Sequence, residues 1–309
     1  MWTCRIGSDC VGDVSIACEA YRTIVGESPV WDDRTGVLYW VDIVGKSILA
    51  LDPMTGKANA WETEDFPTAI GLCKTDGKAV VAFAGGVSTW EIGTDRLAPF
   101  ATIDDDPDGN RLNEGAIGPD GAFWIGTMQT NLNPDGSMRE MDRSSGALYR
   151  IAPDGTVRRM TEHIFGISNT LVWDEARGQM IFGDTLRQTL FRMIWPVGEG
   201  MQALEEWAVT TGHGSPDGSC IDDDGCVWNA RYAGGRVIRH NPDGSVIGQL
   251  ELPATNITAC AFGGEDRRTL YVTTATNQLS EAALANPHEG ALLAADVGVA
   301  GPKTYRFEI

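Results

Sequence analysis

A hairpin that recurs six times limits this chain more than any other feature. Its clearest copy spans Arg111–Met128, with a polar elbow (Arg111, Asn113, Glu114), an apolar pair (Ala116, Ile117), a Gly-Pro-Asp-Gly turn and an aromatic-rich strand. Two short strands about such a turn read as a β-hairpin. The same order of parts begins near Val30, Gly71, Leu171, Cys220 and Ala261, at intervals of roughly 40–55 residues. Most copies are followed by a second strand pair with its own turn, as in Ile48–Leu51 with Ala58–Thr63 and Val237–His240 with Val246–Leu252. One hairpin cannot bury its own faces. About four strands per repeat, six times over, predict an all-β, six-bladed β-propeller. The repeats use nearly the whole chain, so residues 1–309 are expected to form a single domain with 1–15 as a peripheral segment. Ile16–Thr23 reads as a strand placed to complete the last blade and remove an exposed sheet edge, and the C-terminal Tyr305–Ile309 competes for that role.

Composition narrows the partners. A formal charge of −19 argues against nucleic acid and anionic membranes, both of which need a basic face. No apolar span is long enough for a membrane helix, and the N-terminus lacks the apolar run of a signal peptide. Seven cysteines form no Cys-x-x-Cys pair, so they read as reduced, mostly buried thiols in a cytoplasmic chain. Two insertions stand out as surface loops, Asn131–Ser145 and Pro196–Glu206. The first follows a central strand directly and is expected to form a rim or lid over a site. Asn277–Glu289 reads as a short helical turn capped by Ser280.

The elbows carry the functional signal. The link entering each inner strand lies at the mouth of a propeller's axis, so equivalent elbow residues should meet in space. Counting back four residues from Trp31, Cys73, Ile117, Trp173, Ile221 and Phe262 gives Glu27, Ala69, Asn113, Asn169, Asp217 and Thr258. Glu, Asn, Asn and Asp converging on one half-buried point carry a desolvation penalty that calls for a partner. A divalent cation fits, since two carboxylates balance its charge and a carboxamide adds a neutral oxygen. The all-oxygen set points to Ca²⁺, Mg²⁺ or Mn²⁺, with Zn²⁺ and Fe²⁺ also compatible. Taken singly, the asparagines and the aspartate would more simply form Asx turns. Asp42 and Asp184, at the ends of central strands, are expected to bond neighbouring turns. His213 reads as an ordinary loop histidine near the mouth.

The strings at 25–31 (VGESPVW), 111–115 (RLNEG), 124–128 (WIGTM), 167–173 (ISNTLVW) and 215–222 (SPDGSCID) resemble the senescence-marker protein, regucalcin and gluconolactonase superfamily. The likeness runs over roughly residues 18–300. It implies a six-bladed propeller with one axial divalent cation and hydrolysis of sugar lactones. By that resemblance the metal ligands are Glu27, Asn169 and Asp217, and the substrate contacts are Arg111 and Asn113. Asn131, in the run after Gly-Thr-Met where some relatives carry an acidic contact, joins the substrate set. Ser28 and Thr170 stand where glycine is usual, and Glu114 where aspartate is usual.

Lactone opening is acyl transfer to water. The cation would act as a Lewis acid and acidify water, Asp217 would serve as general base, and Arg111 would orient the substrate. No Gly-x-Ser-x-Gly elbow offers competing serine-hydrolase machinery. A non-catalytic calcium-binding regulatory propeller is one rival, although ion binding alone needs neither Arg111 nor Asn113. A metal-dependent organophosphate or ester hydrolase is the other.

Overall fold

In the computed structural model, which describes residues 13–198, 200–212 and 214–309, the chain forms six four-stranded antiparallel sheets. The predicted propeller is the observed fold. The inner strands are Gly26–Asp32, Pro67–Leu72, Asn110–Ile117, Ser168–Asp174, Ser215–Ile221 and Asn256–Gly263, one per blade in chain order. Five blades are built from consecutive strands. The sixth borrows its outer strand from Ser15–Cys18, which pairs antiparallel with Leu292–Asp296. The predicted N-terminal closure is therefore present, three residues into the chain's described part. Residues 1–12 of the expected peripheral segment lie outside it.

The C-terminus does something else. Rather than joining the closing sheet, it crosses the far end of the axis. Gly301 packs on Phe262, Thr304 Oγ1 donates to Trp31 O, and Arg306 pairs with Asp32 and Asp33. Phe307 then bridges in parallel to Cys73 and is fully buried between blades two and three. One apolar side chain anchored in an existing core explains why this segment sits there instead of at an edge.

Apolar alternation along each strand builds the core between blades, not inside one. Six clusters of buried side chains correspond to the six blade boundaries, from Tyr39/Ile70 at blades one and two to Trp31/Tyr271 where blade six meets blade one. The tryptophans serve as packing here: Trp40, Trp90, Trp124 and Trp228 are almost wholly buried, and Trp195 and Trp207 nearly so. Asp42 accepts from the backbone N–H groups of Ile24, Val25 and Gly45, and Asp184 from Gly166 and Ile167, as expected of turn-bracing carboxylates. The helical turn Glu281–Leu284 is capped by Ser280, which accepts from Ala283 N.

Candidate functional site

Every inner strand carries a bulge at the same level. Its register steps one residue further than its partner's between Glu27 and Val30, Pro67 and Ala69, Leu112 and Gly115, Asn169 and Leu171, Pro216 and Ser219, and Ile257 and Ala259. A bulge re-aims the side chains beside it. Repeated six times around the axis, it marks where the ring of elbows departs from ordinary strand alternation. Two bulge residues that are not glycine adopt the left-handed region, Ser28 (φ 51°) and Thr170 (φ 56°).

The carboxylates of the ring are close enough to feel one another. Burial pushes the Glu27 carboxyl well above its usual range, and Asp217 and Glu114 add to the effect, against weaker help from the Ser28 N–H and Arg111. Asp217 is likewise raised, first by burial and then by Glu114, while the Gly218 N–H and Arg231 oppose the shift. Burial lifts Glu114 to about 7. Glu27 Oε2 is fully buried and has no hydrogen-bond partner among the described residues. Asn169 donates its Nδ2 to Thr185 Oγ1 at 2.8 Å, and its Oδ1 accepts no hydrogen bond among the described residues. One oxygen of Glu27 and the carboxamide oxygen of Asn169 are thus left without protein donors among the described residues, which suits a hard cation. Among the described residues no three His, Cys, Asp or Glu side chains gather to hold an ion by themselves. The amide of Asn169 would therefore have to complete the set.

Arg111 lies beside this ring, buried, with its charge felt by Glu27. Its Nη1 donates to Asn113 Oδ1 (2.7 Å) and Leu112 O (2.9 Å), and its Nη2 to Asn131 Oδ1 (3.1 Å). Asn113 in turn gives its Nδ2 to Ser168 O at 2.8 Å. All three residues of the expected substrate set therefore meet, with both asparagines oriented toward the guanidinium. Asn131 opens the first insertion, and that loop is tethered to the blades at both ends. Buried Gln129 accepts from Asp142 N and Arg143 N and donates to Asp142 Oδ1, while Leu132 packs into the core between blades one and two.

Two charged residues of the site escaped the sequence reading. Glu114 entered as part of the polar elbow and as a departure from a motif but was given no role, because strand alternation would point it away from Asn113; the register shifts at the bulge between Leu112 and Gly115. Arg231 is fully buried, donates to Asn229 Oδ1 at 2.9 Å and also bonds Thr210 O and Gly214 O. A charged residue within a predicted central strand, directly after Val227–Ala230, was the available signal. The rim is finished by Tyr232, whose hydroxyl donates to Asn277 Oδ1. His213 lies outside the described residues.

Below the ring the axis opens into a cavity of about 170 Å³, lined by Glu114, Ile70, Ile117, Leu171, Trp173 and Phe262 among others and closed by Pro302–Tyr305.

The propeller places the chain in a class that known proteins share. The family model described as SMP-30/gluconolactonase/LRE-like region matches residues 25–276, and the chain belongs to that family. It is 34% identical over 289 residues to 6-deoxy-6-sulfogluconolactonase of Pseudomonas putida, covering 90% of this chain and 93% of the relative. It is 30% identical over 288 residues to L-arabinolactonase of Azospirillum brasilense, with 93% of each chain covered. Among solved structures it superposes on regucalcin from Agrobacterium tumefaciens, described as a calcium-binding protein, with a TM-score of 0.86 at 27% identity, covering 96% of this chain and 98% of that one.

Proposed function

We propose that this chain hydrolyses a sugar lactone to its aldonic acid at the mouth of the axis, with a divalent cation held by Glu27, Asn169 and Asp217. The coarser reading, a hydrolase that opens lactone rings, is supported by family membership and by two full-length relatives named as lactonases. The cation is favoured by one observation above others: Glu27 Oε2 is buried without a partner beside two further carboxylates whose charges raise its proton affinity. Calcium is the first ion to test, given the structural likeness to a calcium-binding regucalcin.

When bound, such a cation supplies Lewis acidity toward the lactone oxygens and lowers the pKa of water. The remaining work falls to the chain. Asp217 takes the proton of the attacking water, its backbone carbonyl fixed by Thr170 Oγ1 and Asn229 Nδ2. Arg111 orients the substrate's oxygens and offsets negative charge on the opening ring, with Asn113 and Asn131 holding the guanidinium in place. Tyr232 and the 131–145 rim bound the space a sugar would occupy. The acidic surface and neutral substrate agree, since nothing in the charge of −19 steers nucleic acid or anionic lipid to the mouth.

The test is proton release from a panel of pentono-, hexono- and deoxysugar lactones, corrected for spontaneous opening. Chelated protein should be inactive and recover with one or more added divalent ions. A chelated protein as active as the metal-loaded one would overturn the metal-dependent reading. Tight ion binding with no lactone turnover would favour the regulatory binding propeller.

A further inference from the structure

We infer that two threonines of blade four, Thr170 and Thr185, are positioning residues that set the spacing between Asn169 and Asp217 across the boundary of blades four and five. This inference rests on the reading of those two residues as ion ligands.

Thr170 is in an unfavourable place for its type. It is the extra residue of the bulge between Asn169 and Leu171, fully buried, at φ 56°. β-Branched residues are genuine outliers in the left-handed region, and such strain persists only when the surroundings over-determine it. The surroundings here do. Thr170 Oγ1 donates to Asp217 O at 2.6 Å and lies 2.9 Å from Ser219 Oγ. Asn229, also fully buried, donates its Nδ2 to the same carbonyl at 3.0 Å and to Ser219 Oγ at 3.0 Å. The carbonyl of Asp217 is therefore gripped from its own blade and from the neighbouring one.

Thr185 makes the second half of the staple. Its hydroxyl accepts from Asn169 Nδ2 at 2.8 Å and donates to Pro216 O at 2.8 Å. Consecutive carbonyls of the segment carrying Asp217, those of Pro216 and Asp217, are thus each held by a threonine hydroxyl from blade four. The same relay fixes which way the Asn169 amide faces. With its nitrogen spent on Thr185, the oxygen is the atom left over. A hydroxyl is needed at both positions because each must both reach a carbonyl and, at Thr185, accept from an amide; a methyl group does neither. Partners that orient ligands in this manner typically change metal affinity or activity by 10–100-fold when removed.

The variants Thr170→Gly, Thr170→Ser and Thr185→Val separate positioning from simple support. Each is chelated, titrated with Ca²⁺ by calorimetry, melted in the ion-free state and assayed on the lactone turned over by the wild type. Thr170→Gly removes the strain along with the hydroxyl. Its ion-free melting temperature should stay level or rise by about 2 °C, while Ca²⁺ affinity falls about tenfold. Thr170→Ser keeps the hydroxyl and should bind as the wild type does. Thr185→Val should also lose about tenfold in affinity, by freeing the Asn169 amide to turn. Stability and affinity moving in opposite directions in Thr170→Gly is a result that a merely structural role would not give. Wild-type affinity in both Thr170→Gly and Thr185→Val would overturn the inference, as would a serine variant as weak as the glycine one. A wild type that binds no divalent ion would overturn the ligand assignment itself and this inference with it.

Discussion

The two ends of the axis are made by the same six strands and obey opposite rules. At the far end, the apolar halves of the inner strands face a small cavity, and the C-terminal segment covers it with its polar groups satisfied: Arg306 lies between Asp32 and Asp33, and Thr304 on Trp31 O. At the mouth and the ring of bulges beneath it, three buried carboxylates lie close enough for the charges of Asp217 and Glu114 to act on Glu27, one of whose oxygens has no partner among the described residues. Ordinary folding pressure explains most of the far end, where the one exception among the described cavity residues is the buried, unpartnered Nε1 of Trp173, because apolar burial with hydrogen bonding is stabilising. It does not explain the mouth, where crowding like charges in a buried place costs stability. The difference teaches where to look for function in this fold: at the level where all six strands break register together.

The sharpest way to break this contrast is to remove Asp217. Asp217→Ala should lower kcat/KM by roughly 10³-fold in lactone hydrolysis while the protein stays folded, as read by circular dichroism. The mirror experiment is Phe307→Ala at the far end. It should cost about 3–5 kcal/mol of stability in denaturant melts and leave turnover by the folded fraction unchanged. If Phe307→Ala impaired turnover as much as stability, the two ends would not be separable.

A pH series sharpens the mouth further. In ion-free protein the folded state holds protons on Glu27, Glu114 and Asp217 that the unfolded chain releases near pH 4, with Glu114 lifted to about 7. The folded state binds more protons across that window, so stability must fall as pH rises through it. The melting temperature of chelated protein should therefore be lower at pH 7.5 than at pH 5.5, and excess Ca²⁺ should close the gap. A flat profile would count against three coupled carboxylates. The smallest effect is expected for Arg111→Lys. Charge is kept, but the two-sided grip of Asn113 and Asn131 is lost, so KM should rise by about tenfold with less change in kcat.

Much of this was legible in the sequence. Turn residues and strand pairs recurring at one period are a local signal repeated six times, and the fold follows from it. The elbow register also placed Glu27, Asn169 and Asp217 in equivalent positions, because a shared offset from each strand survives whatever loops intervene. Glu114 did not follow, since two-residue alternation holds only in an unbroken strand and a bulge cancels it. Arg231 and the threonine staple depend on which atoms meet in three dimensions, from Arg231 with Gly214 and Thr210, 17 and 21 residues away, to Thr185 with Pro216 and Thr170 with Asp217, 31 and 47 residues apart, and no local pattern encodes that. The C-terminal segment was ambiguous for a related reason. Tyr305–Ile309 has the composition of an edge strand, and only the empty apolar slot between blades two and three decides that Phe307 goes there.

The central claim is that the mouth is built around a cation. Calorimetric titration of Ca²⁺ into chelated protein, with Glu27→Gln run in parallel, tests it most directly. One saturable site in the wild type, lost in Glu27→Gln while that variant's ion-free melting temperature stays level or rises, is the predicted result. No saturable binding in the wild type, or equal binding in the variant, would contradict it.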